Sequence, residues 1–138
     1  MILKRAIWIA AVNYALSFII GLIPMALIGA DPSQMSDLPV GFFVIGIAIS
    51  VILAICFTSV YFKDKHTKPS AKEGFYFGLV LMIVGFILDF IIFLILSLTS
   101  SSGTDVFSYY SSPMFWLAAL LVLATATLVG SIKGKKRK

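Results

Sequence analysis

Charge is what this chain has least of. Only 12% of its 138 residues are Asp, Glu, Lys or Arg, against 60% hydrophobic. Soluble domains carry about a quarter charged residues, so there are too few here to cover a water-facing surface. Cysteine is nearly absent: Cys56 stands alone, which excludes an intrachain disulfide and a dithiol relay. Histidine also occurs once, as His66 in a basic stretch, with no second His or Cys near enough to share a metal. Neither a Gly-rich phosphate loop nor a Ser/His/acid set can be assembled. These gaps predict one domain that is not an enzyme and uses no metal or cofactor.

What is abundant comes in long blocks. Ala6–Ala30 holds no charge over 25 residues, Leu38–Phe62 is equally bare, Gly74–Leu98 has one acid, and Pro113–Ile132 has none. Roughly 20 helical residues cross a hydrocarbon core of about 30 Å. Only helices or closed barrels cross without stranding backbone polar groups, and these runs lack the alternation of barrel strands. The fold class predicted is therefore all-α, an integral membrane four-helix bundle, with spans at about 6–29, 39–62, 74–98 and 113–132. A cleaved signal peptide has an apolar region of about 7–15 residues; the first run is far longer, so it is expected to stay.

The placement of charge predicts orientation. Lys4 and Arg5 precede the first span; Lys63, Lys65, Lys68 and Lys72 fill the loop at 63–73; Lys133, Lys135, Lys136, Arg137 and Lys138 form the tail at 133–138. All eleven bases fall on one side, while the opposite loops, 30–38 and 99–112, hold Asp31, Asp37 and Asp105 and no base. Basic loops are retained in the cytoplasm, so both termini are expected inside an inner membrane. The tail and the basic loop should meet anionic headgroups; no stacking aromatics accompany the tail, so nucleic acid is not an expected partner. Trp8, Tyr61 and Tyr76 fall near the inner boundary, and Tyr109, Tyr110 and Trp116 near the outer one, as interfacial aromatics do.

The loops carry local signals. Asp31–Asp37 reads as a tight turn around Asp-Pro. Ser70 and Glu73 form a capping box that predicts a third helix starting near Ala71. The Ser-rich stretch 99–112 is long enough for a short interfacial segment or a partner-binding surface.

Each span has a stripe of small or polar residues, which lets helices approach in lipid. They are Ala6, Ala10, Asn13, Ser17 and Gly21; Gly46, Ser50, Ala54 and Thr58; Gly74, Gly78, Gly85 and Asp89; and Ala119, Ala126 and Gly130. These faces are expected to pack on one another or on a second protomer. Asp89 is the one Asp, Glu, Lys or Arg inside a span, about 22 Å along the helix from Gly74. No base is available at that depth, and desolvation disfavours an unpaired charge, so the acid form is favoured there. As an acid it would donate to Ser17, Ser50 or the Ile20 carbonyl that Pro24 leaves free. The reading preferred is a hydrogen-bonded clamp; the alternative is a proton or cation site. Asn13 reads as a helix–helix contact.

The single cysteine separates the chain from the quinone-linked thiol oxidoreductases, tetraspanins and claudins. Small multidrug transporters place their acid in the first span, and eicosanoid- and glutathione-type membrane enzymes need intramembrane or inner-face Arg; neither pattern is present. Tyr61-Phe62-Lys63, Lys68-Pro69-Ser70-Ala71-Lys72-Glu73-Gly74, Gly78-Leu79 and Leu88-Asp89 together resemble a pattern in small uncharacterised prokaryotic four-span inner-membrane proteins. The likeness covers about thirty residues, a fifth of the chain. It implies that architecture, links Glu73, Gly74, Gly78 and Asp89 as one face, and brings no activity. The function expected is a structural or assembly partner that associates with itself or with another membrane protein. The alternatives are an oligomeric proton- or ion-coupled transporter or channel using Asp89, and a holin-like pore former.

Overall fold

The computed structural model describes residues 2–28, 40–64, 66–99 and 110–136. They form four α-helices: α1 (Leu3–Ile28), α2 (Val40–Tyr61), α3 (Ala71–Thr99) and α4 (Pro113–Lys136). Each contains a stretch long and apolar enough to cross a membrane. The apolar side chains cover all sides of each helix rather than one stripe, and they stay on the outside of the bundle. Trp8 is 71% exposed, Leu27 81% and Leu98 80%. A surface of this kind fits lipid rather than water, and hence a multi-pass membrane protein.

The helices form a ring in which α3 packs closely on α4 and on α1, and α2 packs on α4 and α1. The connection from α2 to α3 thus runs across a diagonal. Residues 2–10, 54–64, 66–81 and 126–134 share one end; we call this the terminal end. The buried cluster lies there, built from Ala6, Ile9 and Ala10 of α1, Tyr61 and Phe62, and Phe77 and Leu81 of α3. The Tyr61 and Phe77 rings stack at 4.3 Å, both fully buried.

Glycine sets the α3–α4 contact. A Cβ on Gly74 would collide with the Ala126 carbonyl oxygen and lie 3.1 Å from Thr127 Cα. One on Gly130 would collide with the Ser70 carbonyl oxygen and lie 3.0 Å from Gly74 Cα; on Gly134 it would sit 2.7 Å from the Pro69 carbonyl oxygen. Backbone therefore meets backbone at Gly74, Gly130 and Gly134, while Gly78, four residues on from Gly74, meets the Leu123 side chain first. This is the small-residue geometry by which helices approach closely in lipid.

Polar bonds close the same end. Ser70 Oγ accepts from the Glu73 amide at 3.1 Å, so α3 begins at Ala71 with its N-cap in place. Arg5 pairs with Asp64 and donates to the Val60 carbonyl at 3.1 Å. Lys133 donates to the Ser59 carbonyl at 3.0 Å. The Tyr61 hydroxyl donates to Glu73 Oε1 at 2.7 Å and accepts from the Ile2 amide at 3.3 Å.

One expectation changes here. Tyr61, placed at the lipid boundary by its position, is 0% exposed and ties the N-terminus to α3. Position along a helix gives depth but not azimuth, and Tyr61 shares the inward side with Ala54 and Thr58, both also 0% exposed. The first residues of the basic tail at 133–138 are helical, since α4 continues through Lys136. Lysines in the last turn complement the helix dipole and permit this extension. Among the described residues, no atom lies within 4 Å of a Cβ position on Gly21 or Gly46. The tight turn at 31–37 and the stretch 100–109 with Tyr109 lie outside the described residues.

Candidate functional site

The four stripes behave differently along their length. Toward the terminal end their members pack: Ala6 and Ala10, Ala54 and Thr58, Gly74 and Gly78, Ala126 and Gly130 are all buried. Beyond that level the stripes continue, yet the helices no longer close on one another. Phe86 of α3 and Phe115 of α4 meet ring against ring, with centroids 5.3 Å apart, where glycines met backbone lower down. Rings hold helices apart that glycines bring together, and a space opens between them. It measures about 370 Å³.

All four helices contribute to its wall. From α1 come Asn13, Tyr14, Ser17 and Gly21; from α2, Phe42 and Ser50; from α3, Gly85, Phe86, Asp89 and Phe93; from α4, Phe115 and Ala119. Asn13, Ser17, Ser50 and Asp89, the four polar residues singled out in the sequence, thus share one cavity. Gly85 lies opposite Tyr14, with ordinary contact at 3.9 Å. No Lys, Arg or His lines the space among the described residues.

Asp89 is bonded differently from the expectation. Its Oδ1 accepts from the Tyr14 hydroxyl, not from Ser17, and neither Ser50 nor the Ile20 carbonyl is its partner. Ser50 instead donates to the Gly46 carbonyl of its own helix at 2.9 Å, as hydroxyls in helices commonly do. Asp89 Oδ2 has no hydrogen-bond partner among the described residues. Asn13 Oδ1 is buried and likewise has none among them. A buried acceptor without a donor costs about 1–3 kcal/mol, so Asn13 Oδ1 gains from any donor that enters.

Tyr14 was the residue missed. The tyrosines at span ends read as boundary markers, whereas Tyr14 sits in mid-span. Its signal was available: a hydroxyl in hydrocarbon needs a partner, and Tyr14 stacks on Phe18 one turn away with centroids at 6.3 Å. The aromatic surroundings of Asp89 were equally legible from helical spacing, since Phe86 and Phe93 stand three before and four after it. An outer cluster continues from them: Tyr110 lies 6.4 Å from Phe93 and 5.1 Å from Phe115, and the Trp116 indole donates to the Tyr110 carbonyl at 2.9 Å.

The linked face of Glu73, Gly74, Gly78 and Asp89 divides into separate environments. Glu73 binds Tyr61, the two glycines meet α4, and Asp89 reaches the cavity beside α1. A smaller pocket at the terminal end, bounded by Ile2, His66, Thr67, Lys68 and Glu73, has a volume of about 260 Å³. His66 there donates its backbone amide to Asp64 Oδ1 at 2.9 Å. No protein-family model, curated protein or solved structure matches the chain.

Proposed function

We propose that this chain is a small proton- or cation-coupled transporter or channel of a prokaryotic cytoplasmic membrane, working through Asp89. Both termini and the 63–73 loop face the cytoplasm in this reading, as the eleven bases on one side require. The terminal end is then the inner end, and the Asp89 cavity occupies the outer half of the bundle.

One observation carries the proposal: a lone carboxylate in mid-bundle faces a cavity of about 370 Å³ instead of a packed helix surface. A clamp would bury Asp89 against donors on both oxygens. Here one oxygen is bonded and the other is not, and intramembrane acids facing a cavity mark ion and proton pathways. An assembly role draws less support, because Gly74, Gly78, Ala126 and Gly130 are used up inside the chain. All four helices of one chain contribute to the wall of the site.

The bonds that tie Ile2, Arg5 and Lys133 to the α2 end and its loop seal the inner side of the path in this conformation. Alternating access would require them to open. The test is proton flux into proteoliposomes under a pH gradient. Wild type should acidify the lumen, either unaided or when the vesicles are loaded with a small organic cation to exchange, and Asp89→Asn should not; equal flux in both, or none in either under both conditions, refutes the proposal.

One observation favours a second reading, association with another membrane protein. Gly46 is exposed on α2 with open space beside it, while its partners in the stripe, Ala54 and Thr58, are buried. Detergent-corrected light scattering on wild type and Gly46→Leu decides this. A mass above the monomer that falls in the variant supports association, and a monomer in both refutes self-association.

A further inference from the structure

The cavity is much larger than a proton needs. A water molecule takes up about 30 Å³, and sites for small organic molecules start near 300 Å³. At about 370 Å³ this one has molecular size. Its chemistry is one-sided. Asp89 is the only charged residue on its wall, and no base opposes it among the described residues. Aromatic residues share that wall on all four helices: Tyr14 and Phe18 on α1, Phe42 on α2, Phe86 and Phe93 on α3, Phe115 on α4. Asn13 Oδ1 adds a buried acceptor without a donor among the described residues.

An anion would meet the Asp89 carboxylate with no counter-charge. A bare metal ion would need six or more oxygens at close range, and no group of three His, Cys, Asp or Glu exists among the described residues. Ring faces and a carboxylate together suit one class well, because organic cations are drawn to ring faces within about 6 Å and to an opposite charge. An amine also brings N–H donors for Asp89 Oδ2 and Asn13 Oδ1.

We propose that the cavity is a binding site for a small organic monocation bearing an amine and an apolar body, which exchanges with a proton on Asp89. The inference rests on the transport reading above and names its substrate class. In the exchange, one monocation enters as one proton leaves the Asp89 carboxyl for water, so the net charge of the site is unchanged. The titratable groups facing Asp89 are Tyr14 from α1 and Tyr110 ahead of α4; the cavity faces of α2 and α4 present none among the described residues.

The experiment is equilibrium dialysis of the purified protein in detergent with benzyltrimethylammonium, whose charge does not change with pH. Benzenesulfonate is the anionic control. Saturable binding is expected, with one proton released per cation bound, weakening on acidification. Asp89→Asn should lose 10-fold or more in affinity. Phe115→Leu, which keeps the carboxylate, should lose roughly 3- to 30-fold. Asn13→Ala should weaken benzylammonium more than the quaternary cation, which has no N–H to offer.

Binding of benzenesulfonate as tight as that of the cation, or cation binding without proton release, overturns the proposal even if Asp89→Asn does not fold. Failure here is distinguishable from failure of the transport reading. Cation binding with proton release but no flux in vesicles supports this site and refutes transport. Asp89-dependent proton flux with no cation bound overturns this site and leaves transport standing.

Discussion

Alanine at each interface glycine separates what the packing requires from what helix propensity alone would give. In Gly74→Ala and Gly130→Ala the new methyl meets backbone: the Ala126 carbonyl in one case, the Ser70 carbonyl and Gly74 Cα in the other. Backbone cannot swing aside, so α3 and α4 must separate, at an overpacking cost of about 1–3 kcal/mol. In Gly78→Ala the nearest atom, at 2.9 Å, is Leu123 Cδ1, the tip of a side chain that can turn away. That variant should fall between the others. Gly46→Ala meets nothing within 4 Å and should cost nothing. Alanine is favoured over glycine in helices by up to about 1 kcal/mol, a gain common to all four variants. The difference between Gly74→Ala and Gly46→Ala therefore isolates the steric cost. The assay is unfolding by SDS titration from mild-detergent micelles, followed by far-ultraviolet circular dichroism. The order Gly46→Ala, Gly78→Ala, then Gly74→Ala and Gly130→Ala, from most to least stable, is expected. If Gly74→Ala and Gly130→Ala are as stable as Gly46→Ala, the close α3–α4 contact does not hold the bundle together.

Two further substitutions probe the polar bonds. Tyr61→Phe keeps the stack on Phe77 but removes the bonds to Glu73 and Ile2. It should destabilise by about 1–3 kcal/mol in the same titration, since Glu73 loses a donor beside a buried ring; a change below 0.5 kcal/mol, roughly the least a hydrogen bond contributes, would show that water replaces Tyr61 there. Tyr14→Phe removes the donor on Asp89 and should cost about 0.5–2 kcal/mol, the range for interhelical bonds in membranes. In the flux assay it should keep activity while shifting its pH profile; an unchanged profile would mean that Tyr14 does not act on Asp89.

Much of this was legible in the sequence, for reasons that also mark where legibility stopped. The apolar runs had to be helices because hydrocarbon offers the backbone no other partner, and Ser70 with Glu73 fixed where the third begins. The stripes showed which sides face inward, so Asn13, Ser17, Ser50 and Asp89 could be named together. Small residues say that helices can approach, not that they do. Gly74 and Gly130 meet backbone while Gly21 and Gly46 meet nothing, and the four look alike in sequence. What divides them is what lies opposite: Gly74 and Gly130 face each other across α3 and α4, a pairing that no single-helix spacing displays. Tyr61 was misplaced because depth is set by residue number, whereas burial depends on which neighbour lies beside it.

The central claim is that Asp89 is an accessible, protonatable acid in a cavity rather than a sealed clamp. Labelling with a membrane-soluble carbodiimide tests it most directly, since the reagent adds to protonated carboxyls reached from an apolar space. Peptide mass mapping should find one adduct in the segment carrying Asp89, formed faster at lower pH and slowed by benzyltrimethylammonium. An Asp89 left unmodified, while Asp64 or Glu73 at the terminal end reacts, would contradict the account and restore the clamp.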